Sequence, residues 1–151
     1  MRRQQAALAL LVAAPVAMAA VGAAHAPRAE IGQLVRTVWD SVYSPDQATR
    51  GQVAYNQTCA RCHQASLSGA DDAPALVGSA FLGNWSGQTL ADLQERVRTA
   101  MPPDDPGTYG IQHITDVMAY MLKMNGFPEG RVELSPQADS LRTIRIQATR
   151  P

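Results

Sequence analysis

The chain has 151 residues, with 13 basic and 13 acidic side chains and a formal net charge of zero. This length supports one ordinary domain and is too short for two, and the balanced charge excludes the basic footprint of a nucleic-acid-binding protein. Beyond the N-terminal 26 residues no apolar run approaches the length of a membrane-spanning helix, so we expect no stable membrane span in the mature chain.

Residues 1–26 have the three parts of a secretory signal peptide. Two arginines near the start supply positive charge, residues 6–21 form an apolar run that contains Pro15, and residues 24–26 read Ala-His-Ala, a cleavage site of the A-x-A type. The alternative is an uncleaved membrane anchor, which the proline and the cleavage site disfavour. We therefore expect an exported protein whose mature chain begins at Pro27.

The mature chain divides into three predicted parts. Residues 27–44 form an N-terminal arm that packs on the domain through Trp39, in either a helical or an extended conformation. Residues 45–128 form the domain, and residues 129–151 form a C-terminal tail, with a short helix expected near Ser135.

The first helix of the domain is predicted to begin at Pro45 and to continue to about Thr58. Ser44 is a typical N-cap, proline suits the first helical position, and Gln47 can complete a capping box. Gly51 lies inside this helix, where glycine costs stability relative to alanine. Its presence predicts that another backbone passes close to this position.

The helix leads into Cys59-Ala60-Arg61-Cys62-His63, the C-x-x-C-H attachment signature of a c-type haem. Two thiols at this spacing can form thioethers with the two vinyl groups of one haem, and the adjacent histidine can bind the iron as its first axial ligand. A zinc site would need further Cys or His ligands, a thioredoxin-like pair would need a βαβ setting, and a disulfide across so short a loop would add little stability. We therefore predict one covalent haem c and, because bacteria attach it outside the cytoplasmic membrane, a periplasmic location.

Residues 64–86 are predicted to be loop, because glycine and proline recur there with little periodicity. Part of the loop must fold back over the histidine side of the haem, so the backbone carbonyl of Pro74 is the candidate partner for the second ring nitrogen of His63. Trp85 is a candidate indole donor to a haem propionate.

A second helix is predicted to start at Thr89, with Asp92 as its capping-box partner. It ends at Met101, because the residue before proline is disfavoured in helices and two prolines follow. Met101 is thereby held extended beside a helix end with its thioether free, which predicts it as the second axial ligand of the iron. A vacant sixth position and ligation by His113 are the alternatives.

Two arginines of this helix, Arg96 and Arg98, are further candidate partners for the propionates. The last major helix is predicted over residues 111–125, with a C-terminal Asn-Gly stop. Ala119 on this helix is small enough to cross the first helix at Gly51. The apolar residues expected to exclude water from the haem are Leu76, Phe81, Leu93 and Val97.

Taken together, these motifs resemble those of class I, monohaem cytochromes c. The matching segments are Gly51-x-x-x-Tyr55-x-x-x-Cys59-x-x-Cys62-His63, Pro74-Ala75-Leu76, Met101-Pro102-Pro103 and the Val-Met-Ala-Tyr-Met sequence of residues 117–121. Three further segments, residues 38–43, 81–85 and 125–128, are similar to cytochrome domains that accompany pyrroloquinoline-quinone-dependent dehydrogenases.

The resemblance implies an all-α domain of the class I cytochrome c fold, with three main helices and long loops wrapped around one covalent haem. It also implies electron transport by a single-electron carrier and no enzymatic activity of this chain. The implied partners are redox proteins: a quinoprotein dehydrogenase as donor, and a terminal oxidase or another respiratory acceptor. The alternative is a haem enzyme or gas sensor with an open sixth coordination position.

Overall fold

Helices dominate residues 36–151, which are the residues that this computed structural model describes. The helices of this range are α1 (Pro45–Thr58), α2 (Ala60–His63), α3 (Gly78–Trp85), α4 (Leu90–Ala100), α5 (Ile111–Met124) and α6 (Ala138–Arg142), and its strands are β1 (Arg36–Thr37) and β2 (Ile144–Arg145). The predicted all-α class is confirmed. The predicted signal peptide and the first residues of the arm, 27–35, lie outside the described residues.

Helix α1 has the predicted bounds and the predicted cap. The hydroxyl of Ser44 accepts a hydrogen bond from the backbone N–H of Gln47 at 3.1 Å. The Gln47 side chain does not close a capping box. It is fully buried, and its amide donates to the carboxylate of Asp116 on α5 at 3.2 Å and to the carbonyl of Leu134 at 3.0 Å.

Helices α1 and α5 cross in direct contact at Gly51, as the glycine predicted. A Cβ atom at this position would lie 1.8 Å from the carbonyl oxygen of Asp116 and 3.0 Å from the Cβ of Tyr120. The three α5 atoms nearest to this position thus belong to Asp116 and Tyr120, one helical turn apart. Ala119, which was predicted near the contact, is fully buried on the same helix but supplies none of these three atoms. The crossing fixes the start of the C-x-x-C-H segment relative to α5.

Helix α3 corrects the prediction that residues 64–86 are all loop. Its first residue, Gly78, has a φ of +73°, and its N–H is capped by the side-chain oxygen of Asn125 at 3.0 Å. The Asn125 amide also donates to the carbonyl of Leu76 at 3.0 Å. Because the cap comes from the end of α5 and not from a preceding Ser, Thr, Asp or Asn, no local signal in the sequence marks this helix.

Helix α4 begins and ends as predicted. Thr89 and Asp92 form a reciprocal capping box, in which the hydroxyl accepts from the Asp92 N–H at 3.2 Å and the carboxylate accepts from the Thr89 N–H at 2.8 Å. The helix stops at Ala100, and Met101 is extended with φ −123° and ψ 140°. Met101 therefore leaves the helix axis at the point where the prolines begin.

The arm and the tail pair with each other at the side of the helices. Strands β1 and β2 are parallel, with Arg36 opposite Ile144 and Thr37 opposite Arg145. The Trp39 indole donates to the carbonyl of Gln147 at 3.1 Å. In the described part of the arm, Arg36 and Thr37 are extended and a turn follows, closed by the hydrogen bond from the Asp40 N–H to the Thr37 carbonyl at 3.0 Å. This part of the arm is therefore not helical.

The tail also closes over the start of α4. Ile146 is fully buried, its N–H donates to Gln88 at 2.9 Å, and its carbonyl accepts from Gly87 at 2.8 Å. The short helix expected near Ser135 begins three residues later, as α6 at Ala138. None of the helices in residues 36–151 is long and apolar enough to cross a membrane.

Candidate haem site

Most of the site residues predicted from the sequence line one cavity of about 550 Å³. Cys62 and His63 line it from α2, Cys59 lines it from the position between α1 and α2, and Met101 lines it from the segment after α4. Its apolar lining comes chiefly from Leu76, Leu93, Val97, Val117 and Met121. A cavity of this size with a few convergent polar groups is typical of a cofactor site.

His63 is buried, and its Nδ1 atom lies 2.8 Å from the carbonyl oxygen of Pro74. A carbonyl only accepts hydrogen bonds, so Nδ1 carries the proton and Nε2 is left with its lone pair. This is the hydrogen bond that the sequence predicts. An imidazole in this tautomer can ligate a metal through Nε2.

Residues 64–77, the proximal loop, bring Pro74 back to His63. The N–H of Gly69 donates to the carbonyl of His63 at 3.1 Å, and the N–H of Leu76 donates to Leu67 at 2.8 Å. Gly69 has a φ of +73°, and a Cβ atom there would lie 2.4 Å from the carbonyl oxygen of Ala73. Only glycine fits this turn without strain, because both its backbone angle and the space around it exclude a side chain.

The two thiols of the site differ in exposure. Cys59 is partly buried and Cys62 is exposed, and both are free. Burial raises the pKa of the Cys59 thiol, although the Thr58 hydroxyl, 3.2 Å from the sulfur, opposes the shift. Free, neighbouring thiols at the mouth of a cavity have the chemistry that thioether formation requires.

Met101 is partly buried, and its N–H donates to the carbonyl of Val97 at 3.0 Å. Met121 also lines the cavity, but as a 2 % exposed residue in the interior of α5. His113, the other candidate ligand, is not among the lining residues. Its ring stacks on that of Tyr109, with 4.8 Å between the centroids, and its Nε2 lies 3.3 Å from the Thr58 hydroxyl.

The candidate propionate partners separate into two groups. Trp85 and Arg96 line the cavity, whereas Arg98 does not. Residues two apart on a helix point about 200° apart, and the Arg98 guanidinium instead makes two bonds to the Glu95 carboxylate, at 2.9 and 2.7 Å. Arg98 is therefore removed from the set of candidates.

Phe81 requires a second correction. It is 1 % exposed and lies in the core behind Trp85, with 6.4 Å between the ring centroids, instead of lining the cavity. Its burial stabilises α3, and α3 in turn carries Trp85.

Several cavity residues were not among the residues predicted for the site. Val117 and Met121 lie one turn apart on α5, a spacing that marks an apolar face without showing what that face contacts. Arg61, between the two cysteines, forms an ion pair with Asp104 at 2.6 Å. The Arg61 guanidinium, hydrogen-bonded to Asp104, holds the pKa of that carboxyl below its usual range.

These residues fit a c-type haem. The donor set offers two thiols for attachment, an imidazole nitrogen and a thioether sulfur, and the wall beside it is largely apolar. In such a set Cys59 and Cys62 would hold the porphyrin, and His63 and Met101 would bind the iron.

Comparison with known proteins gives one family match and one structural match. The family model described as "Cytochrome C oxidase, cbb3-type, subunit III" matches residues 46–121. No curated protein matches the chain. The chain is similar to a solved structure, "Crystal Structure of the Sulfane Dehydrogenase SoxCD from Paracoccus pantotrophus", with 23% identity and a TM-score of 0.48, over 60% of this chain and 54% of that one. The match therefore spans about half the length of that solved chain.

Proposed function

Because the chain belongs to the c-type cytochrome family described as cytochrome c oxidase, cbb3-type, subunit III, we propose that it is a single-electron carrier with one covalently attached haem c. The predicted class I cytochrome c fold is confirmed by this membership, which also implies haem-based electron transfer. The observation that supports the proposal most is that Cys59, Cys62, His63 and Met101 line one cavity.

Each of these residues has a separate role in the proposal. The two cysteines attach the porphyrin as thioethers, and His63 binds the iron through Nε2 while Pro74 holds its ring by the hydrogen bond to Nδ1. Met101 supplies the sixth ligand. When bound, the haem supplies an iron that changes oxidation state by one electron.

The apolar wall of the cavity tunes this site. Leu76, Leu93 and Val97 lie around the candidate ligands and exclude water from them. A thioether ligand and a low local dielectric both favour the ferrous over the ferric state, so they raise the reduction potential. With Met101 bound, no coordination position is open to a substrate. This distinguishes a carrier from the alternative, a haem enzyme or gas sensor with a vacant sixth position.

We further propose that the carrier works in the periplasm. The signal-peptide pattern of residues 1–26 supports export. In this proposal the signal peptide is followed by an arm over residues 27–44, the cytochrome domain over residues 45–128 and a tail over residues 129–151. The similarity to domains that accompany quinoprotein dehydrogenases supports a dehydrogenase as donor. The description of the matched family supports a terminal oxidase as acceptor.

The absorption spectrum of the purified oxidised holoprotein tests the proposed ligation. We expect the weak red band that iron–methionine ligation produces, and no ready binding of carbon monoxide by the reduced protein. Met101→Ala should remove the band, open the iron to carbon monoxide and lower the reduction potential. Its haem should still survive acid–acetone extraction, because the thioethers remain.

Met121→Leu is the matched control, since Met121 is the other methionine of the cavity and leucine conserves its volume. This variant should keep the band. A wild-type protein that lacks the band and readily binds carbon monoxide would favour the enzyme or sensor alternative instead. If Met121→Leu loses the band and Met101→Ala keeps it, the iron ligand is Met121 on α5 and not Met101.

A further inference from the structure

The Arg61–Asp104 ion pair joins the two segments that carry the proposed axial ligands. Arg61 lies in α2, between the two cysteines and two residues before His63. Asp104 lies in the distal loop, which we define as residues 101–110, three residues after Met101. The guanidinium nitrogen and carboxylate oxygen are 2.6 Å apart although the residues are 43 positions apart in sequence.

The distal loop has few other side-chain connections. Within residues 36–151, Arg61–Asp104 is the one side-chain hydrogen bond between this loop and the rest of the chain. Tyr109 adds apolar contacts, because its ring stacks on that of His113 and packs, partly buried, against the hydrophobic core. The loop has no regular secondary structure, and most of its residues are exposed. A loop with so few buried contacts opens more easily than the helices that flank it.

The ion pair also lies at the cavity itself. Arg61 and Pro103, the neighbour of Asp104, both line the cavity. The α2 side of the pair is fixed, because Tyr55 donates to the Gln64 carbonyl at 2.7 Å and His63 is held by Pro74. The pair thus ties the exposed distal loop to α2 across the cavity rim.

We infer that Arg61 and Asp104 are positioning residues for Met101, whose ion pair keeps the distal loop closed over the haem cavity and limits replacement of Met101 by other ligands. The inference rests on the proposed ligation by Met101. Without the pair, the loop spends more time in open conformations, and in these an external ligand can take the sixth position. The apparent affinity for such a ligand rises in proportion to the open fraction.

Imidazole binding to the oxidised holoprotein measures this directly. Asp104→Asn and Arg61→Gln should each lower the dissociation constant for imidazole about two- to fivefold, the range expected of one exposed ion pair. The double variant should change it no more than either single variant, because both remove the same interaction. Asp104→Glu keeps the carboxylate and should restore values close to the wild type.

Glu95→Gln is the matched control. It makes the same carboxylate-to-amide change in the Glu95–Arg98 pair, which has similar exposure but does not border the cavity. It should bind imidazole as the wild type does. A second measurement varies the salt concentration. Salt raised from about 0.01 M to about 1 M should tighten imidazole binding to the wild type, because it screens exposed charges, and should have less effect on Asp104→Asn.

The outcomes separate this inference from the proposed function. If the wild type shows the iron–methionine band but Asp104→Asn binds imidazole like the wild type, the positioning role is wrong and the carrier proposal stands. The positioning role would also be wrong if imidazole binding tightened equally in Asp104→Asn and Glu95→Gln. It would be wrong as well if the effects of the two single variants on imidazole binding added up in the double variant. A wild type without the band would overturn both proposals.

Discussion

A single residue, Gly51, sets how closely α1 and α5 approach. The Asp116 carbonyl oxygen occupies the space that a Cβ atom would need, at 1.8 Å. Real Cβ–oxygen contacts are never so short, and the obstacle is helix backbone that cannot rotate away. The glycine therefore lowers the intrinsic stability of α1 but permits the crossing that buries Tyr55 and Tyr120 against each other, with 5.5 Å between ring centroids.

Replacing Gly51 by alanine should destabilise the holoprotein. Alanine favours the helix by about 0.5–1 kcal/mol, but overpacking against the α5 backbone costs about 1–3 kcal/mol. We expect the steric term to exceed the propensity term, so the free energy of unfolding measured with urea should fall.

Gly83→Ala is the matched control for this change. Gly83 is also helical, in α3, and a Cβ there would have no atom within 4 Å. Only the propensity gain applies, so this variant should be more stable by about 0.5–1 kcal/mol. An increase in stability in Gly51→Ala would mean that the helices can separate at no cost.

At the scale of elements, helix α4, which stops just before Met101, is stabilised at its start by charge as well as by hydrogen bonds. The Asp92 carboxylate accepts from both the N–H and the hydroxyl of Thr89. The backbone N–H, the largest cause, and the hydroxyl hold the pKa of Asp92 below its usual range. A carboxylate near the helix N-terminus also complements the helix dipole.

Thr89→Ala should lower the free energy of unfolding by about 1 kcal/mol near neutral pH, because it removes the N-cap oxygen. A carboxyl whose pKa is lower in the folded state stabilises the fold above its unfolded pKa of about 3.9. That contribution is lost as the pH falls through the folded-state pKa. The hydroxyl contributes to the shift, so the stability difference between the variant and the wild type should shrink in acid.

Urea unfolding at about pH 7 and about pH 3 measures this difference. Thr99→Ala is the control, because Thr99 lies in the same helix and its hydroxyl bonds only to the Glu95 carbonyl one turn earlier. Alanine should be neutral or slightly stabilising there. A difference between Thr89→Ala and the wild type that stays constant with pH would show that the cap acts independently of the Asp92 charge.

At the scale of the whole molecule, segments outside the family match complete the domain. The match ends at residue 121, yet Leu134, Leu141 and Ile146 in the tail are all buried to 2 % exposure or less. Gln47 on α1 holds the tail by two hydrogen bonds to the backbone of Leu134, at 2.7 and 3.0 Å. The tail therefore covers α1 and the start of α4 as part of the same core.

Ile146→Ala should destabilise the holoprotein by about 2–5 kcal/mol, because it leaves a cavity where β2 crosses the start of α4. Val132→Ala removes a similar aliphatic group from a tail residue that is 75 % exposed. It should change stability by less than about 0.5 kcal/mol. Thermal unfolding of both variants compares the two positions, and equal melting temperatures would mean that the tail is not part of the cooperative unit.

Some features follow from the sequence alone because their causes are local. The C-x-x-C-H segment predicts haem attachment by itself, because attachment depends on residues within five consecutive positions. The start of α1 and both ends of α4 depend on caps and prolines next to them, so Ser44, Thr89 and the prolines after Met101 predict them correctly. The hydrogen bond from His63 to Pro74 was expected for a similar reason, because only a short loop separates the two residues.

Other features were decided by tertiary structure because they depend on residues distant in sequence. Helix α3 takes its cap from Asn125, 47 residues away in sequence. Because no capping residue precedes the helix, the glycines in its own segment predict a loop instead. Arg96 and Arg98 look equivalent in sequence, but only the orientation of α4 against the cavity distinguishes them. The Arg61–Asp104 pair forms across 43 residues, and no local pattern specifies which exposed charges meet. Such contacts are set by how the helices pack, and packing depends on the whole chain at once.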